Sequence, residues 1–146
     1  MKGNERIIGQ LNARLAEELT AVNQYMVHAE MCDNWKYKKL DETIQKRAIA
    51  EMKHAENLIA RMLFLEGRPI VSNLNKINIG AEVPKMHEYD RGAEEMAIRG
   101  YNETIRLAVE VGDNNTKVLL ESILKEEEDH IDWLEAQQDQ IKQMGI

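Results

Sequence analysis

One cysteine, two prolines and an aromatic content of 5% set this 146-residue chain apart from several kinds of architecture. A lone Cys closes no internal disulfide and excludes the paired-cysteine metal knuckles of zinc ribbons and rubredoxin-like modules. Nothing therefore points to an oxidising compartment. No stretch approaches 18 apolar residues, so no membrane span is expected; Glu5 and Arg6 interrupt the start where a secretory signal needs an apolar run. Basic residues are the minority, 19 Lys and Arg against 26 Asp and Glu, for a net charge of −7. Phosphate binding needs clustered cations, so nucleic acid is not an expected partner. The surplus of carboxylates reads first as solvated surface, with cation handling as the sharper alternative. The expectation is a cytoplasmic protein of one domain spanning residues 1–146.

Ala, Leu, Met, Glu, Lys and Gln are abundant, and these side chains lose little rotamer freedom in a helix. Residues spaced alternately four and three apart mark four helical seams. The first runs Leu11, Leu15, Glu18, Val22, Tyr25, Ala29, and the second Ile44, Ala48, Glu51, Ala55, Leu58, Met62, Leu65. Gly67 and Pro69 are expected to end the second helix. Pro84, tolerated in a first turn, opens a third seam through His87, Asp90, Glu94, Ala97, Tyr101, Thr104 and Ala108. A turn at Gly112–Asn115 leads to the fourth, Thr116, Leu120, Ile123, Glu127, His130, Leu134, Gln137, Ile141. Residues 66–81 carry neither period and read as one long connection. Two helical hairpins joined by a long crossover form the ferritin-like version of a four-helix bundle, an all-α fold.

Each seam holds a carboxylate where an apolar residue is expected: Glu18, Glu51, Glu94 and Glu127. A buried carboxylate needs protonation, a cation or a metal. Glu51 and Glu127 each begin a Glu-x-x-His motif, with His54 and His130 three residues on, so that carboxylate and imidazole share one helix face. Glu18 to Glu94, Glu51 to Glu127, His54 to His130 and Tyr25 to Tyr101 are all separated by 76 positions. The two hairpins thus carry one polar constellation twice, as a pseudo-twofold axis requires. Four carboxylates and two imidazoles suit two divalent ions, with Glu51 and Glu127 bridging, Glu18 and His54 on one ion, and Glu94 and His130 on the other. Oxygen-rich ligation without thiolate favours Fe or Mn over structural zinc, and this is the general ligand pattern of di-iron carboxylate bundles. Tyr25 and Tyr101 read either as core aromatics or as hydrogen-bond donors to the site carboxylates. His28 has no visible partner set and is expected at the surface. His87 and Asp90 share the third seam, where Asp90 either orients a ligand histidine or serves ordinary pairing.

Taken together, the MKG start, Glu18 followed by Leu-Thr-Ala-Val-Asn-Gln-Tyr25, Glu51-Met-Lys-His-Ala, Leu63-Phe-Leu-Glu-Gly67, Asn78-Ile-Gly80 and Glu127-Glu-Asp-His-Ile-Asp-Trp-Leu-Glu135 resemble the bacterioferritins over nearly the whole chain. The resemblance implies that the six ligands form a ferroxidase centre of two Fe per subunit. It would oxidise Fe²⁺ with dioxygen or hydrogen peroxide and feed a ferric mineral inside a homo-oligomeric 24-subunit shell built from twofold dimers. It also implies that Met52 is the axial ligand of a b-type haem, one per subunit dimer. One residue past Glu51, Met52 points about 100° away around the helix. Two departures stand out. The family's inner-surface iron site uses a His and an Asp where this chain has Lys46 and Ala50, and a fifth C-terminal helix is expected to be absent after Gly145 and Ile146. The other readings of the polar seams are a rubrerythrin- or manganese-catalase-like di-metal oxidase or peroxidase without mineral storage, and a haem or interaction bundle whose polar residues fix register.

Overall fold

The computed structural model describes all 146 residues and contains four helices and no strand: α1 (Glu5–Asn34), α2 (Lys38–Phe64), α3 (Val83–Glu110) and α4 (Asn114–Met144). Helix α1 packs against both α2 and α3, and α3 against α4, while α2 and α4 touch more sparsely and the diagonal pairs α1–α4 and α2–α3 do not meet. None of the helices is long and apolar enough to cross a membrane.

Local chemistry sets the helix ends. Asn4 caps α1 by accepting from the backbone N–H of Arg6 and Ile7 at 2.8 and 3.2 Å. Pro84 lies in the first turn of α3, as expected. The end of α2 differs from expectation in one respect. Glu66, rather than Gly67, takes the left-handed conformation, with φ 60°. The amide of Gly67 then closes on Met62 O at 2.8 Å and that of Glu66 on Leu63 O at 3.1 Å, the paired bonds of a Schellman stop. Gly67 is small for a packing reason: a Cβ there would lie 2.9 Å from three carbons of Ile8.

Two apolar clusters make the core. The larger includes Ile7, Leu11, Leu15, Leu58, Met62, Tyr101, Leu120 and Ile123. The smaller contains Ala21, Tyr25, Ala29, Cys32, Ile44, Ala48 and Met86. The buried acidic and imidazole side chains of the seams fall on the stretches of helix between them.

The crossover is tied to α1 by side chains that stand in for backbone partners. Asn12 accepts from Ile70 N at 2.9 Å and donates to Arg68 O at 3.1 Å. Thr20 accepts from Asn75 N at 2.8 Å, Gln24 from Asn78 N at 3.1 Å, and His28 Nε2 from Gly80 N at 3.0 Å. Asn12, Thr20, Gln24 and His28 recur at multiples of four along one helix face, a polar stripe visible in the sequence. His28 is therefore not at the surface but fully buried, because its partners lie far along the chain. Since Nε2 accepts from Gly80, Nδ1 carries the proton and donates to Asp90 Oδ1 at 2.9 Å; Gln24 Nε2 donates to the same oxygen at 2.8 Å. Asp90 thus serves this clamp. Gly80 fits because a Cβ would lie 2.4 Å from Met86 N.

Candidate metal centre

Each helix contributes to a polar layer across the middle of the bundle: Glu18 from α1, Glu51 and His54 from α2, Glu94 from α3, Glu127 and His130 from α4, all buried. One ligand atom from each of Glu18, Glu51, His54 and Glu127 lies within 4.8 Å of the others, and the same holds for Glu51, Glu94, Glu127 and His130. Glu51 and Glu127 belong to both sets. Within the first, His54 Nδ1 stands 2.9 Å from Glu127 Oε1, 3.3 Å from Glu18 Oε2 and 3.6 Å from Glu51 Oε2. Within the second, His130 Nδ1 stands 3.0 Å from Glu51 Oε1 and 3.6 Å from Glu94 Oε1. The imidazoles are stacked, with ring centroids 6.4 Å apart.

Several of these atoms are close without being satisfied. Glu51 Oε1, Glu94 Oε2, Glu127 Oε1 and His130 Nδ1 are buried and have no hydrogen-bond partner. Leaving a buried polar group unpaired costs about 1–3 kcal/mol, more when it is charged. Two divalent cations would accept every one of these lone pairs, so the donor set fits the metal pair that the motifs imply. Two tyrosines pin the outer carboxylates crosswise: Tyr101 OH donates to Glu18 Oε1 at 2.6 Å, and Tyr25 OH donates to Glu94 Oε1. The pairing obeys the 76-residue offset, since adding it turns Tyr25 into Tyr101 and Glu94 is already Glu18 plus 76. Both tyrosines are thus core aromatics and hydrogen-bond donors together. Burial, then the nearby carboxylates, push both phenols well above their usual range.

The same crowding acts on the acidic and imidazole side chains of the layer. Desolvation, reinforced by the neighbouring carboxylates, drives the carboxyls of Glu51 and Glu94 well above the ordinary range, which favours their protonated forms in the metal-free protein. Burial alone would lower the His54 imidazole, but Glu127 and Glu18 outweigh it and carry it to about 11. The layer is acidic, proton-laden and ready to exchange protons for cations.

The chain matches the ferritin-like domain over residues 8–144. It is 40% identical to a bacterioferritin of Rhodobacter capsulatus over 137 residues, 94% of this chain and 85% of that one. It is 37% identical to a bacterioferritin of Brucella melitensis over 145 residues, covering 99% and 90% of the two chains. A bacterioferritin of Mycolicibacterium paratuberculosis is 36% identical over 146 residues, covering 100% and 92%. The chain belongs to the bacterioferritin family.

Several positions have a particular bearing for a bacterioferritin-family chain. Met52 lies on α2 directly after Glu51 and is 46% exposed, turned away from the polar layer, with Met26 and Ile49 also exposed. Lys46 and Ala50 line a surface opening with Ile49, Lys53, Asn57, His54 and Glu126. Glu126, not singled out by the motifs, meets His54 Nε2. It stands next to Glu127, and the offset that pairs the two halves gives no signal for it, because its counterpart, Ala50, is not a carboxylate. His87 is fully buried, edge-on to Trp133 with ring centroids 5.5 Å apart, and neither ring nitrogen has a partner.

Proposed function

We propose that this chain is the subunit of an iron store that oxidises Fe²⁺ at the polar layer, with Glu18, Glu51, His54, Glu94, Glu127 and His130 as metal ligands and the whole chain as one di-iron domain. The observation that carries this reading is the pair of ligand sets sharing Glu51 and Glu127 around buried atoms that have no other partner. Fe²⁺ is the substrate, and dioxygen or hydrogen peroxide the acceptor. Glu51 and Glu127 would bridge the two ions, while Glu18 with His54 and Glu94 with His130 complete one ion each. Tyr101 and Tyr25 hold the outer carboxylates in place before iron arrives, so little reorganisation is needed as charge builds. The apolar clusters on both sides keep bulk water from the reacting pair. The proton that His54 holds leaves as the cations enter.

The homology to bacterioferritins extends the reading to a cytoplasmic 24-subunit shell built from twofold dimers that stores the ferric product. Met52 would hold haem through its thioether, since this side chain is half exposed and turned away from the polar layer. Haem held there would supply a one-electron relay. The rubrerythrin- or manganese-catalase-like alternative gains nothing from the relatives above, which are bacterioferritins. Aerobic loading of the purified protein with Fe²⁺, followed by size-exclusion chromatography and iron analysis, tests the proposal. The expected result is an iron-filled particle holding many more than two irons per chain, with oxidation lost in Glu127→Ala. A particle that keeps only two irons per chain removes the storage claim.

A further inference from the structure

The pseudo-twofold symmetry of the centre is broken on one face of the bundle. His54 is held through both ring nitrogens, with Nδ1 3.3 Å from Glu18 Oε2 and Nε2 against Glu126. On the other half His130 Nδ1 lies 3.0 Å from Glu51 Oε1, but no carboxylate meets its Nε2, and the residue that would correspond to Glu126, 76 positions earlier, is Ala50. A second difference reinforces the first. Trp133 packs over the His130 half against the smaller apolar cluster, whereas its counterpart, Asn57, is exposed and lines the opening onto His54. One half is clamped by a carboxylate beneath a polar surface opening, and the other is unclamped and covered by Trp133, while both imidazoles stay buried.

We propose, resting on the di-metal reading above, that Glu126 is a positioning residue that makes the two metal positions unequal. By accepting the Nε2 proton of His54 it leaves Nδ1 aimed at Glu18, Glu51 and Glu127 and raises the basicity of that imidazole. A carboxylate behind a ligand histidine typically contributes 10–100-fold to metal affinity. The position built from Glu18, Glu51, His54 and Glu127 is then preorganised and fills first. The position built from Glu51, Glu94, Glu127 and His130 fills second, once the first ion has ordered the shared carboxylates. Glu126 can act in this way without being needed for the fold, because its side chain is 56% exposed and its one recorded bond is to His54.

Anaerobic titration of the metal-free protein with Co²⁺, followed by calorimetry and by the visible d–d bands, tests this without relying on turnover. The parent is expected to take up Co²⁺ in two resolved steps, the first lost in His54→Ala and the second in His130→Ala. Glu126→Ala should weaken the first step about 10–100-fold and change its band envelope, with a smaller effect on the second. Glu126→Gln, whose amide oxygen still accepts a hydrogen bond but carries no charge, should fall between. Ala50→Glu, which supplies the missing counterpart, should tighten the second step. A single unresolved step in the parent overturns the proposal, as does a Glu126→Ala titration that matches the parent or shifts both steps equally. If the parent takes up no Co²⁺ at all, the di-metal reading itself falls, and that outcome is distinct from the others.

Discussion

Neither nitrogen of the His87 ring finds a partner, although the side chain is fully buried beside Trp133. Burial lowers its pKa, so the folded protein keeps it neutral at a pH where the unfolded chain already protonates it. Stability from this group is therefore present above the unfolded pKa of about 6.5 and drains away as the pH falls through it. His87→Leu should stabilise the protein by about 1–3 kcal/mol, with the gain over the parent larger at pH 5 than at pH 8 in urea melts. The polar layer implies an opposite exchange. Because burial and the neighbouring carboxylates favour the protonated forms of Glu51 and Glu94, and the carboxylates outweigh burial to do the same for His54, cation uptake should release protons and weaken as the pH falls. Calorimetry in buffers of different ionisation enthalpy measures the number released. All six residues of the polar layer were legible as a set in the sequence because three- and four-residue spacing and a 76-residue offset are properties of the chain itself. His28 was not, since what buries it is the amide of Gly80 and the carboxylate of Asp90, each more than fifty residues away.

Among the elements, the helices follow from periodicity, and their ends sit within a few residues of where the seams stop. The crossover was legible only as the absence of a period. Its course depends on backbone donors finding side-chain acceptors on α1, and no repeat along the crossover records that. The information lies on the partner instead, in the stripe of Asn12, Thr20, Gln24 and His28. Gly80 is the most demanding position along the path, because an added methyl would press on the first turn of α3. Gly80→Ala should cost about 1–3 kcal/mol in denaturant unfolding. Amide exchange should show protection lost around residues 70–80, with the helices retained.

For the molecule as a whole, the divided core and the exposed Met52 make separate predictions about iron and haem. The assembled particle should run at roughly 400 kDa, the mass of a 24-subunit shell of 16.9-kDa chains. Met52→Leu should abolish the haem absorption band while leaving Fe²⁺ oxidation and particle mass at parental levels, as spectra and light scattering of one preparation would show. The crosswise bonds from Tyr25 to Glu94 and from Tyr101 to Glu18 bear on how such a centre can be built at all. Neither hairpin can pin its own outer carboxylate, because each borrows the tyrosine of the other. Two identical copies of the α1–α2 hairpin, paired about the same axis, would present the same six ligands and the same two tyrosine bonds. Such a dimer would have no front or back. Joining two unlike hairpins in one chain gives the centre a direction, because Ala50 and Asn57 stand on one half where Glu126 and Trp133 stand on the other.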